Sequence, residues 1–130
     1  MVVGLGIDVA SVERFRHSLE RFGDRLWTRV LTAREQSDLA ERSDRAQALA
    51  GRFAAKEAAM KALGAPPDVT FQDLEVRRGS NRAPELHLLG SASEHGKRLG
   101  VARSLVSITH DAGVAAAVVV LDSEPLADRR

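Results

Sequence analysis

The sequence predicts an α+β fold, a single small domain in which a largely antiparallel sheet accompanies a long central helix. Three observations predict it. The chain opens on the strand-like alternation of "VVGLGIDVA", closes on two pairs of apolar runs separated by turn residues, and carries between them the alanine-rich helical stretch "GRFAAKEAAMKALG". Helices gathered early, hairpins late and one strand at the start make an α+β arrangement. A length of 130 residues suits one domain, burying roughly two thirds of the surface of the unfolded chain. The domain is expected to span 1–122, with a loose tail over 123–130.

In the opening strand, Val3, Leu5, Ile7 and Val9 alternate with Gly4, Gly6 and Asp8, the period of a strand with one buried face. Asp8 lies on the face cleared by glycines. Val12, Phe15, Leu19 and Phe22 then recur at helical spacing, with Ser11 as N-cap and Gly23 as C-terminal stop. Asp24 to Leu31 supplies another turn or two of helix, and "TARE" at Thr32 to Glu35 reads as a capping box. Asp44 caps the long helix, which ends where Gly64 and Pro66-Pro67 forbid its continuation. On that helix Leu49, Phe53, Met60 and Leu63 form one apolar stripe, flanked by Arg52 and Lys56 on one side and by Glu57 and Lys61 near the other.

"FQDLEV" and "ELHLL" alternate as strands across the turn-rich "RRGSNRAP", predicting a hairpin. "SASE" at Ser91 to Glu94 reads as a second capping box, opening a helix that stops at Gly100. "SLVSITH" and "VAAAVVVLD" make a second hairpin about Asp111-Ala112-Gly113.

Composition excludes several functions. The chain has no cysteine, which removes disulfides, thiolate nucleophiles and cysteine zinc sites and agrees with a reducing cytoplasm. The apolar run "GVAAAVVVL" is too short to span a bilayer, so no membrane role is expected. A net charge of +1 argues against a nucleic-acid binder, which concentrates positive charge. The arginines between Arg14 and Arg52 can instead present a basic surface to an acidic partner. A noncatalytic module holding an acidic protein or nucleic acid through those helices is the alternative to an enzyme.

The chemistry centres on the long helix. Glu57 and Lys61, one turn apart, have the spacing of an ordinary surface pair worth about 0.2–0.5 kcal/mol. Yet Glu57 borders the apolar stripe, and Asp8 also sits where glycines leave room. Two carboxylates from different elements suit magnesium, which keeps waters and takes substrate phosphates beside one or two carboxylates. If they converge, Lys61 can serve one phosphate oxygen as a point charge and Arg52 or Arg45 another by its fork. His110 ends a strand beside a turn, a place where histidine is more often structural.

"GIDVASVERF", "LTAREQ", "AGRFAAKEAAMKALG" and "SITH", in that order from Gly4 to about Leu121, resemble the holo-acyl-carrier-protein synthase family of 4'-phosphopantetheinyl transferases. The resemblance implies transfer of the phosphopantetheine arm of coenzyme A to a serine of apo acyl carrier protein, with release of adenosine 3',5'-bisphosphate. It implies magnesium held by Asp8 and Glu57, an active-site lysine at Lys61, and coenzyme A contacts from Arg52 and His110, to which Arg45 is added. It places the acidic carrier protein against Arg14, with Arg21 on the same helix. The base that takes the serine proton stays open between Glu57 and a water on the metal. The family implies a cytoplasmic homotrimer with each site across a subunit boundary. Locally the chain departs from the family at Ala65-Pro66-Pro67, where the family often has a Thr/Gly-rich loop, and at "NRAP", where Ala83 replaces a flexible position and only Pro84 fits the usual Gly-basic-Pro turn.

Overall fold

The computed structural model describes residues 1–124. The chain runs β1 (Val2–Ser11), α1 (Val12–Phe22), α2 (Asp24–Val30), α3 (Ala33–Asp38), α4 (Arg45–Ala62), β2 (Leu74–Arg78), β3 (Pro84–Leu88), α5 (Gly90–Leu99), β4 (Arg103–Asp111) and β5 (Val114–Asp122). Antiparallel pairing gives one sheet in the order β1-β5-β4 and a separate β2-β3 hairpin. Ser123 N–H donates to the Met1 carbonyl, and Glu124 pairs with the Met1 ammonium at 3.3 Å. The rest of the expected tail, 125–130, lies outside the described residues.

Three of the five helix starts follow from side-chain caps. Ser11 Oγ accepts from Arg14 N, Thr32 and Glu35 form the expected capping box, and Asp44 accepts from Gln47 N at the start of α4. These bonds satisfy amides that have no partner within the helix. Gly23 at φ 57° ends α1 and Gly100 at φ 79° ends α5. The β4–β5 hairpin closes through Ala112 and Gly113, both at positive φ, the twist that suits a two-residue turn between right-twisted strands.

The structure corrects four expectations. The buried face of β1 is the glycine face. Leu5, Ile7 and Val9 are 61–63% exposed, while Gly6 and Ala10 are buried. A Cβ at Gly4 or Gly6 would collide with the main-chain carbonyls of Ala62 and Ala58. The glycines therefore let α4 lie directly on the strand. Second, α4 has no single apolar stripe. Alanines line it on several sides, from Ala46 to Ala62, and Lys56 is fully buried, so it is a central helix surrounded by protein. Third, Phe71–Asp73 is a 3-10 turn that precedes β2. Fourth, α5 begins at Gly90, with Leu89 as a cap that makes no side-chain bond. Ser91 falls inside the first turn, too late to cap it.

The core joins α4 to the inner face of the sheet and to β2 through Leu31, Leu39, Leu49, Leu74, Val76, Val119 and Leu121, each at most 1% exposed. Each such leucine or valine contributes about 1.5–3 kcal/mol by leaving water. On the outer sheet face, β1 pairs Leu5 with Val120 and Ile7 with Val118, and β4 places Leu105 opposite Val120. That apolar strip has no covering element among the described residues, and Leu105 is 43% exposed.

Candidate active site

Two clusters form on different sides of α4. Arg52 and Glu57 are five residues apart, which turns them about 140° from each other around the helix axis and separates them by about 7.5 Å along it.

The first cluster joins α4 to β1. Because the glycine face of β1 meets the helix, Asp8 points toward it and is only 17% exposed in its side chain. Lys61 Nζ donates to Asp8 Oδ1 at 3.1 Å and to the Ile7 carbonyl at 2.9 Å. Partial burial raises the pKa of Glu57, the Asp8 charge raises it further, and Lys61 opposes both. Asp8 and Glu57 are thus close enough to repel. Two oxygen donors that repel each other beside a half-exposed ammonium fit a divalent cation, which would relieve the repulsion. Among the described residues, no group of three or more acidic or histidine side chains converges, so a cation held by this pair would take its other ligands from substrate and water.

Beside Glu57 opens a cavity of about 650 Å³, walled by Thr28 and Arg29 on one side and by Met60, Val69, Thr70, Phe71 and Gln72 on the other. Sequence reasoning missed it. Its wall comes from the 3-10 turn, and the reading of that segment as a strand hid the fact that it returns to α4.

The second cluster is a cationic pocket of about 240 Å³ between α4, the β2–β3 hairpin and the end of β4. It holds Arg52 and His110 with Arg42, Arg77, Arg78 and Arg82. Burial pulls the Arg52 pKa down, and Arg42 and Arg78 pull it further while Glu35 opposes. Arg52 Nε is buried without a hydrogen-bond partner. That combination, a desolvated guanidinium among like charges, favours an anion in the pocket. Gln47 Nε2 lies 3.0 Å from His110 Nδ1 and holds the ring at the rim. The hairpin arginines were legible only as "RRGSNRAP", a turn, because nothing in their spacing says where the hairpin folds.

Arg45 lies elsewhere. Its guanidinium stacks 4.3 Å over the Trp27 ring and sits 3.4 Å from Asp24 Oδ1, in a hollow shared with Arg16, Glu20 and Asp44. Arg14 and Arg21 are both exposed on α1, two turns apart, and neither makes an ion pair among the described residues. Arg25 and Arg29 continue the exposed basic surface onto α2 beside Phe22 and Leu26.

The sequence and the overall fold are similar to those of known proteins. The model of the 4'-phosphopantetheinyl transferase superfamily matches residues 4–119. A holo-[acyl-carrier-protein] synthase of Anaeromyxobacter sp. (strain K) is 48% identical over 125 residues, covering 94% of this chain and 97% of that protein. The crystal structure of the Neisseria meningitidis synthase superposes with a TM-score of 0.85 at 29% identity, covering 94% of this chain and 99% of that one. The Helicobacter pylori synthase, solved in complex with coenzyme A, superposes at 0.79 with 32% identity, covering 91% and 99%. With the family motifs matched almost from end to end, the chain belongs to the holo-acyl-carrier-protein synthases of the 4'-phosphopantetheinyl transferase superfamily.

Proposed function

We propose that the protein transfers the 4'-phosphopantetheine group of coenzyme A to a serine hydroxyl of apo acyl carrier protein, with Mg2+ at Asp8 and Glu57 and adenosine 3',5'-bisphosphate as the second product. The observation that carries this reading is the division of the site. One side of α4 offers carboxylates, Lys61 and a mainly apolar cavity, and the other offers a pocket of arginines. Coenzyme A has the same division, a polyanionic nucleotide end and a neutral, extended arm joined through a diphosphate.

In this reading the nucleotide phosphates bind Arg52 and His110, and the arm lies in the cavity beside Glu57. The two half-sites face different directions, so a complete site requires two copies of the chain. The uncovered strip of Leu5, Ile7, Leu105, Val118 and Val120 supplies an apolar face for that association, and a homotrimer closes it. Asp8 and Glu57 would hold the cation, which when bound supplies charge neutralisation at the diphosphate. Lys61 places an ammonium where negative charge grows as the bond to the departing bisphosphate breaks. The Arg14 and Arg21 face receives the acidic carrier protein. Its cytoplasmic location is supported by the cysteine-free composition.

The test is intact-mass measurement of apo acyl carrier protein incubated with the protein, coenzyme A and Mg2+. The expected result is a gain equal to one phosphopantetheine group, absent with EDTA or with Glu57→Ala. No gain in the complete mixture would refute the activity.

A further inference from the structure

Among the described residues, the best-buried charges lie beside the site and have no part in the reaction just described. Lys56 and Glu35 both have fully buried side chains, and Lys56 Nζ lies 2.6 Å from Glu35 Oε1. The remaining Lys56 donors go to two main-chain carbonyls, Val30 at 2.7 Å and Phe71 at 2.9 Å. Glu35 in turn accepts from Thr32 N at 2.8 Å and, through its other oxygen, from Val76 N at 2.9 Å. Four segments, the end of α2, the start of α3, the 3-10 turn and β2, are thus tied at their backbones to a side-chain pair anchored on the middle of α4.

We propose that Lys56 and Glu35 are positioning residues that set the width of the cavity beside Glu57, and through it the binding of the coenzyme A arm. The proposal rests on the function proposed above. The cavity has one wall at Thr28–Arg29 and another at Val69–Gln72, and Lys56 reaches both, holding Val30 just beyond the first and Phe71 within the second. Gln72 adds a second tie between the walls, donating to the Thr28 carbonyl at 2.9 Å and the Leu31 carbonyl at 3.0 Å. Phe71 then rests on Phe53 with ring centroids 5.5 Å apart.

Stability alone is a poor account of such a pair. Replacing a buried ion pair with well-packed apolar side chains is often neutral or stabilising, and the site is already surrounded by leucine, valine and alanine. What apolar side chains cannot do is fix main-chain atoms. Three acceptors at hydrogen-bond distance require three N–H groups, which only the ammonium form has. The pair therefore specifies distances between segments that hydrophobic contact would leave free to slide.

The experiment compares the wild type with Lys56→Met and with the double variant Lys56→Met/Glu35→Leu, reading thermal stability, KM for each substrate, and calorimetric binding of coenzyme A and of adenosine 3',5'-bisphosphate. The single variant strands a buried carboxylate and is expected to lose stability. The double variant is expected to regain it while KM for coenzyme A stays raised tenfold or more, with kcat and the KM for carrier protein changed less than threefold. Bisphosphate, which lacks the arm, is expected to bind all folded proteins equally. A folded double variant with wild-type affinity for coenzyme A overturns the proposal. A wild type that binds neither ligand overturns the functional reading first. If neither variant folds, hydrogen exchange on the wild type decides: slow exchange in segments 28–32 and 69–76 without ligand, matching α4, supports a held cavity, and fast exchange there overturns it.

Discussion

Lys61 donates to both the side chain of Asp8 and the main-chain carbonyl of Ile7, so one ammonium on α4 reads the position of β1 and the charge of its carboxylate together. The contact exists because Gly4 and Gly6 bring the helix onto the strand. It places Lys61 beside the carboxylate pair while leaving its side chain 54% exposed, free to turn toward a phosphate.

Lys61→Met should therefore act mainly on turnover. Removing one charge that stabilises the transition state costs roughly 10²–10³ in kcat, while the Lys61–Asp8 pair, open to water on its lysine side, contributes about 1 kcal/mol to stability. Steady-state kinetics on protein of unchanged melting temperature would show it. A fall in stability with kcat preserved would make Lys61 a structural tie.

Glu57 should titrate above the ordinary value of 4.5, from burial first and Asp8 second. Between that value and its raised pKa the native state binds more protons than the unfolded one, so this group's contribution to stability falls as pH rises through the window. Cation binding must displace that proton and should weaken as pH falls through the same window. In a carboxyl NMR titration of the metal-free protein, Asp8→Asn should bring the Glu57 pKa down and Lys61→Met should push it up. Insensitivity to both substitutions would mean that the three groups do not share a site.

Gly6→Ala should be among the most disruptive single changes. Its new methyl group meets the Ala58 carbonyl, and neither main chain can yield without moving α4 off the sheet. Overpacking of this kind costs about 1–3 kcal/mol or more. Because the movement would also part Lys61 from Asp8, denaturant unfolding and activity should both decline, whereas Gly113→Ala, in the open hairpin turn, should affect activity little.

The sequence showed the elements whose signals are local and hid what depends on how they meet. Ser11, Thr32, Asp44 and Gly100 mark helix ends by short-range hydrogen bonds or dihedral freedom, and all four do so in the structure. Alternation in β1 gave the period but could not say which face is covered. The answer lay in glycines receiving a helix, against the usual expectation that the larger apolar side chains face inward. Lys56 was legible only as a flank of the apolar stripe because its partner, Glu35, lies 21 residues away. Asp8, Glu57 and Lys61 were legible through their motifs, and Arg42, Arg77, Arg78 and Arg82 were not.

Arg14→Glu and Arg21→Glu should raise the KM for the carrier protein and leave the KM for coenzyme A unchanged, since both side chains are exposed on α1 and remote from the cationic pocket. The wild-type KM for carrier should rise with salt as the Debye length shrinks from about 10 Å at 0.1 M toward 3 Å at 1 M. The doubly reversed variant should lose most of that dependence. An unchanged carrier KM in the variant would move the docking surface elsewhere.

Asp8→Ala and His110→Ala test whether the site is shared between copies. Asp8 belongs to the carboxylate cluster and His110 to the arginine pocket, and the two cavities have no lining residue in common. Each variant alone should be nearly inactive. If each site joins one copy's carboxylates to its neighbour's arginine pocket, refolding the two variants together in equal amounts leaves about a quarter of sites with both residues intact. The mixture should then recover about that fraction of wild-type activity. Ile7→Lys, which charges the uncovered sheet face, should dissociate the assembly and abolish the recovery without unfolding the chain, as sedimentation and circular dichroism would show. Activity in the mixture no greater than the sum of the separate variants would place the whole site within one chain and require the two clusters to act apart.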